Sequence, residues 1–223
     1  MGSLKVMETR MTLVVVEEQV VKSRDRVKAY GEVFTPRYMV DQMLDLVSED
    51  LETAPDFVDK TFLEPSAGDG NFLVAILRRK LQAIEKHYPV KDWPQQSLFA
   101  LASIYGIELL EDNHQEAQAI MLAEFLGFYR DHGIHAGTET DLQKAAAFLI
   151  DTNIVRGNTL TAQTVEGDDI QFSWWHRIEG QPRMVQREPF TLASLRDNAG
   201  FDFTVYATYR PCRIEFVHHE EKA

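Results

Sequence analysis

The stretch Phe62 to Leu73, FLEPSAGDGNFL, constrains the fold more than any other part of the chain. Two apolar residues, Phe62 and Leu63, lead into it as the end of a buried strand does. Glu64-Pro65-Ser66-Ala67-Gly68-Asp69-Gly70 follows, a turn of small and acidic residues. From Asn71 to Leu77 apolar residues return at helical spacing. Strand, glycine turn and helix in succession make the unit with which open α/β sheets hold a nucleotide at the carboxyl end of a strand. Glycines there permit unusual backbone angles and a close approach of main chain to ligand. Ordinary strand-to-helix turns also use Gly-x-Gly, so the pair alone is a weak signal.

The turn lacks the third glycine of a dinucleotide loop, since Leu73 occupies that position, and it lacks Gly-Lys-Ser/Thr. Glu64 precedes it and Asp69 lies within it. Carboxylates repel a pyrophosphate but suit a ligand that carries a cation and hydroxyls. S-adenosylmethionine, with an ammonium, a sulfonium and a ribose, meets that description.

The chain of 223 residues suffices for one α/β domain with a substantial core. A single cysteine, Cys212, excludes an internal disulfide framework and makes the cytoplasm the default location. No apolar run approaches a membrane span, and Met1-Gly2-Ser3-Leu4 lacks the regions of a signal peptide. The net charge of −12 argues against a large DNA-binding face on this chain by itself, because affinity for duplex comes mainly from cations on phosphates.

Around the glycine turn the pattern is of alternating helices and strands. Leu13-Val14-Val15-Val16 is either an added strand or a docking segment. Lys22, Arg24, Arg26 and Lys28 form a basic arm, read either as a solvated helix face or as a phosphate contact. Thr35 and Pro36 make a helix start, a hydroxyl cap followed by proline at the first helical position. Val40, Met43, Leu44, Val47 and Leu51 are then expected on one face. Phe72, Leu73, Ile76, Leu77, Leu81 and Ile84 stripe the helix after the turn, which ends near His87. Pro89 and Pro94 bracket an expected loop, and Leu101 to Glu108 reads as a second buried strand ending in an acid. That carboxylate is placed either to accept from ribose hydroxyls or to start a helix. Helices are expected over 113–128 and 142–150, with a third strand over 154–158. Ile170 to Gln186 predicts a β-hairpin at the ligand end of the sheet, with Trp174 and Trp175 on opposite faces. One of the two indoles belongs to the core, and the other covers the insertion or stacks on a base. Phe201 to Tyr206 is an expected fourth strand. His218-His219 reads as a surface pair, with no third metal ligand at a suggestive spacing.

Three pieces stand in order: Gly31-Glu32-Val33-Phe34-Thr35-Pro36, Glu64 to Phe72, and Ile104-Tyr105-Gly106-Ile107-Glu108. Together they resemble the N-6 adenine-specific DNA methyltransferases of restriction–modification systems, in the γ arrangement where Phe-Thr-Pro precedes the glycine motif. The resemblance runs from Tyr30 to Asn158. It implies a Rossmann-like α/β methyltransferase fold, a mostly parallel sheet with flanking helices, over residues 30–223, preceded by an arm (1–29) and carrying the hairpin insertion at about 161–190. It further implies that Phe34, Thr35 and Pro36 sit over the methionine part of S-adenosylmethionine. Glu64, Ser66, Ala67, Gly68 and Gly70 would line its amino acid and sulfonium. Glu108 would hold the ribose and Leu109 would flank the adenine. Asn158 stands where the family often has Asp; its amide oxygen still accepts from the adenine amino group, with less charge assistance.

The resemblance breaks at the family's acceptor motif, Asn/Asp-Pro-Pro-Tyr/Phe, which occurs nowhere in the chain. There the polar side chain accepts from the target amine and the aromatic ring stacks on the flipped base. Laid on the expected fourth strand, the motif falls on Ala207, Thr208, Tyr209 and Arg210. Ala207 has no side-chain oxygen, and Tyr209 is an aromatic one place early. Only a short tail follows, so the family's target-recognition domain has no counterpart here. The resemblance therefore implies a cofactor-binding subunit that meets DNA through a partner chain, as a hetero- or homo-oligomer. The alternatives are a catalytically inactive regulatory or assembly module and a methyltransferase with a non-DNA acceptor.

Overall fold

The computed structural model describes residues 20–137, 140–196 and 208–223. The chain divides into two compact units, Met1–Pro36 and Arg37–Ala223. The run Leu13 to Val16, the expected fourth strand Phe201 to Tyr206, and Ala207 lie outside the described residues.

In the first unit, helix α1 (Arg24–Tyr30) is capped at both ends. Ser23 Oγ accepts from Arg26 N–H, and Gly31 ends the helix at φ +68°, donating its N–H to Val27 O at 2.9 Å. Arg26 grips Glu32 with two hydrogen bonds of 2.6 Å, so the basic arm spends one of its cations internally.

The second unit opens with α2 (Arg37–Asp45), followed by a single π-helical turn (Glu49–Thr53). Val40, Leu44 and Leu51 are buried as their spacing predicts, whereas Met43 is exposed on α2 and Val47 lies exposed beyond its end at Asp45. Strands β1 (Phe62–Glu64), β2 (Ile104–Glu108) and β3 (Ile154–Arg156) form a parallel sheet in the order β1-β2-β3. Glu64 lies opposite Gly106, and Glu108 opposite Arg156. Among the described residues β1 has a strand partner on one side only.

Helix α3 (Asn71–His87) connects β1 to β2, and α5 (Glu111–Asp131) leads toward β3. Both pack on one face of the sheet, where Gly106 lets Leu73 close in: an added Cβ would lie 3.0 Å from its Cδ1. Between α3 and β2 the structure departs from expectation. Instead of a loop, a 3₁₀ turn (Val90–Asp92) runs into α4 (Trp93–Ala102). Pro94 sits in the first turn, where its missing N–H costs nothing. Leu101 and Ala102, expected to open the second strand, close this helix, and β2 begins only at Ile104. Helix α6 (Asp141–Asn153) precedes β3.

The other face of the sheet presents Tyr105 and Ile107, and a hairpin covers it. Strand β4 (Gln171–Ile178) pairs antiparallel with β5 (Gln181–Thr191), which also pairs with the short β6 (Cys212–Arg213). Ile170, Phe172 and Phe190 pack with Tyr105 and Ile107 in a second apolar cluster. The hairpin is rooted at the carboxyl end of β3, where Leu192 N–H bonds Ile170 O. It then spans the face to the amino end, where Arg177 bonds Asp59 and lies 3.5 Å over the Phe99 ring. The insertion is thus a covering layer rather than an ornament of the ligand end. Trp175 is buried against Phe148 of α6, while Trp174 faces the other way and stacks on His176.

Lys80 of α3 is fully buried. Its position, four residues after Ile76 and four before Ile84, puts it on the apolar stripe. The ammonium donates to Val58 O (3.1 Å), Lys60 O (2.6 Å) and Ser103 Oγ (2.7 Å), tying the approach to β1 to the end of α4. Burial pushes its pKa down to about 7, against the opposing pull of Asp59 and Asp56. Between that value and the ordinary 10.5 the unfolded chain binds more protons than the folded one, so stability rises with pH there and is flat below it. Relative to Lys80→Met, urea denaturation of the natural chain is expected to show a gain of roughly 2–4 kcal/mol from pH 7 to pH 10.

Candidate cofactor-binding site

The carboxyl ends of the three parallel strands converge on one carboxylate. Glu108, the last residue of β2, is buried at 6% exposure. One of its oxygens accepts from Gly68 N–H at 2.7 Å, in the glycine turn after β1. The other accepts from Leu110 N–H at 2.9 Å, at the start of α5. Its main-chain oxygen accepts from Gly157 N–H at 3.0 Å, just past β3. Four further bonds lace the same end. Ala67 N–H bonds Ile107 O, Gly70 N–H bonds Ala67 O, Glu64 accepts from Ser66 N–H at 3.0 Å, and Thr159 Oγ1 bonds Pro65 O.

Of the residues expected at a cofactor site, Glu64, Ser66, Ala67, Gly68, Gly70, Glu108, Leu109 and Asn158 are therefore brought to one end of one sheet. Phe34, Thr35 and Pro36 close the other compact unit. There Phe34 N–H bonds Val20 O, and Lys22 lies 5.9 Å over the Phe34 ring. Asn158 is engaged locally: its Oδ1 accepts from Leu160 N–H at 2.9 Å and its own N–H bonds Gln163 O. Leu109 stands out from the sheet end, 42% exposed.

The two glycines of the turn differ in what they do. Gly68 adopts φ +56° and presents its N–H to Glu108. Gly70 adopts φ +93°, and a Cβ there would lie 2.9 Å from Ala117 Cα, so this glycine admits helix α5 rather than a ligand. Sequence spacing alone does not separate these roles.

Electrostatically the end is anionic. Burial raises the pKa of Glu64, and the Ser66 N–H only partly offsets this. Each carboxylate oxygen of Glu108 keeps a second lone pair beyond its main-chain bond, which suits hydroxyl donors such as those of a ribose. A partly buried acid on β1 and a doubly anchored acid on β2 thus form an acceptor set suited to hydroxyl and ammonium donors.

Cavities of about 260 and 310 Å³ lie elsewhere, the first between Phe99 and the hairpin and the second between α2, α3 and α5. Neither includes Glu108 or Gly68. The convergence of strand ends is the stronger guide, because ligands of open α/β sheets lie outside the carboxyl ends of the strands.

Of the degenerate acceptor stretch, Thr208, Tyr209 and Arg210 are described. Thr208 O accepts from Ala223 N–H, and the Tyr209 ring lies 4.6 Å from the Arg187 guanidinium. Arg187 bonds Ser173 Oγ at 2.6 Å, and Ser173 N–H bonds the side chain of Asn153, the residue before β3. These contacts lead from Tyr209 to the amino end of the sheet, opposite to Glu108.

Glu108→Gln keeps one acceptor oxygen but sets an amide against the other N–H. It is expected to lower stability by about 1–3 kcal/mol in chemical denaturation. Gly70→Ala, strained in backbone and pressed on Ala117, is expected to cost about 2–4 kcal/mol. The reading of the site rests on its geometry, since no protein-family model, curated protein or solved structure matches this chain.

Proposed function

We propose that this chain is an S-adenosylmethionine-binding subunit of the kind found in N-6 adenine DNA methyltransferases, with target recognition and the acceptor loop supplied by a partner chain. The observation that carries the reading is the double anchorage of Glu108 between the glycine turn and the start of α5, at the shared carboxyl end of three parallel strands. Glu108 would accept from the ribose hydroxyls with its remaining lone pairs. Glu64, desolvated, would face the cationic part of the ligand, and Leu109 would supply apolar contact to the base. When bound, the ligand supplies a methyl group on a sulfonium, and its transfer depends mainly on alignment with the acceptor. The chain's part is to hold and orient the donor. The acidic balance of the chain agrees with DNA contacts made elsewhere.

A second reading, a catalytically inactive module that binds the same ligand, is favoured by two observations. The Asn/Asp-Pro-Pro-Tyr/Phe motif is missing from the sequence, and Tyr209 is committed to Arg187. Loss of aligned acceptors from a methyl-transfer site costs orders of magnitude in rate.

Titration calorimetry of the full chain with S-adenosylmethionine and its demethylated product is expected to give saturable binding at one site per chain. Leu109→Asp, exposed and so neutral to folding, is expected to weaken it, and Glu108→Ala to abolish it. No saturable heat with either compound would refute both readings. Transfer of tritiated methyl to DNA by the isolated chain would remove the need for a partner.

A further inference from the structure

His218 and His219, adjacent in sequence near the end of the chain, acquire a third companion in the fold. They close a short 3₁₀ turn (Ile214–His219) whose Ile214 and Val217 are buried in the main core with Ala145, Ala146 and Leu149 of α6. That packing brings the turn against the first residue of α6, Asp141. The helix start is fixed by Thr140, whose hydroxyl accepts from Gln143 N–H. One ligand atom from each of Asp141, His218 and His219 lies within 4.8 Å of the other two. His218 Nε2 is 3.5 Å from Asp141 Oδ1, and the two imidazole centroids are 4.1 Å apart.

The side chain of His218 is only 9% exposed. Both of its ring nitrogens are buried without a well-formed hydrogen bond. Buried polar atoms normally find partners, but here Nε2 has only the 3.5 Å contact with Asp141 and Nδ1 has no hydrogen-bond partner. The ring stands beside a second imidazole and a carboxylate oxygen.

We propose that Asp141, His218 and His219 form a three-ligand site for a divalent transition-metal ion, zinc by preference, which clips the C-terminal turn to the start of α6. Two imidazoles and a carboxylate make the nitrogen–oxygen set that zinc takes at about 2.0–2.2 Å, with a fourth position left for water. Closing the set to those distances needs side-chain movement, which the exposed positions of Asp141 and His219 allow. The site is independent of the nucleoside reading. It sits on α6 and the C-terminal turn, and its ligands take no part in the lacing around Glu108.

The test uses the full chain, stripped of metal with a chelator and titrated with zinc in a calorimeter and with cobalt under visible absorption. One equivalent of zinc is expected to bind and to raise the midpoint of thermal unfolding. Cobalt is expected to develop the absorption of a nitrogen–oxygen site of low coordination number. Asp141→Asn and His219→Ala, both at exposed positions and so compatible with folding, are each expected to weaken zinc binding by at least about tenfold. His218→Ala should remove it. Absence of binding to the natural chain would overturn the proposal. Binding that both exposed-site variants leave unchanged would overturn it too, by assigning the metal to histidines elsewhere.

Discussion

The carboxylate of Glu108 holds together the carboxyl end of the parallel sheet. A parallel sheet leaves the last carbonyls of its strands and the first amides of the following helices at one end, and something must pair them. Here a single side chain pairs two main-chain amides, one in the turn after β1 and one at the start of α5, while its own carbonyl takes a third just past β3. Charge-assisted bonds to main-chain N–H groups are among the stronger contacts available to a carboxylate. The glycine turn, the start of α5 and the exit from β3 are therefore positioned by one residue.

The rest of the second unit is built to cover that three-stranded sheet. Helices α3 and α5 close one face. The hairpin closes the other with aromatic residues, Phe172 and Phe190 edge-on to Tyr105. Polar side chains fasten the layers: Arg187 joins Ser173, Glu220 and the Tyr209 ring, and Tyr105 Oη donates to Ser173 O. On the helical side Lys80 does the same for β1 and α4. These buried hydrogen-bonded groups each connect two or three segments that are distant in sequence.

Local patterns made much of this legible. The glycine turn, the helix from Asn71 to His87, the helix around Ala117 to Phe125 and the hairpin strands all carry periodicities that survive in the structure. The failures have physical causes. Helix α4 is buried almost all round from Leu98 to Ala102 and so has no polar face to reveal its period. Its run of small and apolar residues merges with β2, and Pro94 imitates a loop because proline is equally at home in a first turn. Gly70 and Gly68 look alike in sequence, but only the approach of α5 to Ala117 tells packing from presentation. Lys80 was hidden by its charge, although its spacing matched the stripe. The pairing of Asp141 with His218 and His219 is a product of tertiary packing, which no short-range pattern encodes.

Among the described residues one side of β1 has no strand partner, which leaves the sheet open there. A strand seated against Phe62, Leu63 and Glu64 would lie about 5 Å away and extend the sheet in register with the glycine turn. Its terminus would stand beside the Glu64 carboxylate. The group that faces Glu64 across that border is thus decided by whichever polypeptide occupies it.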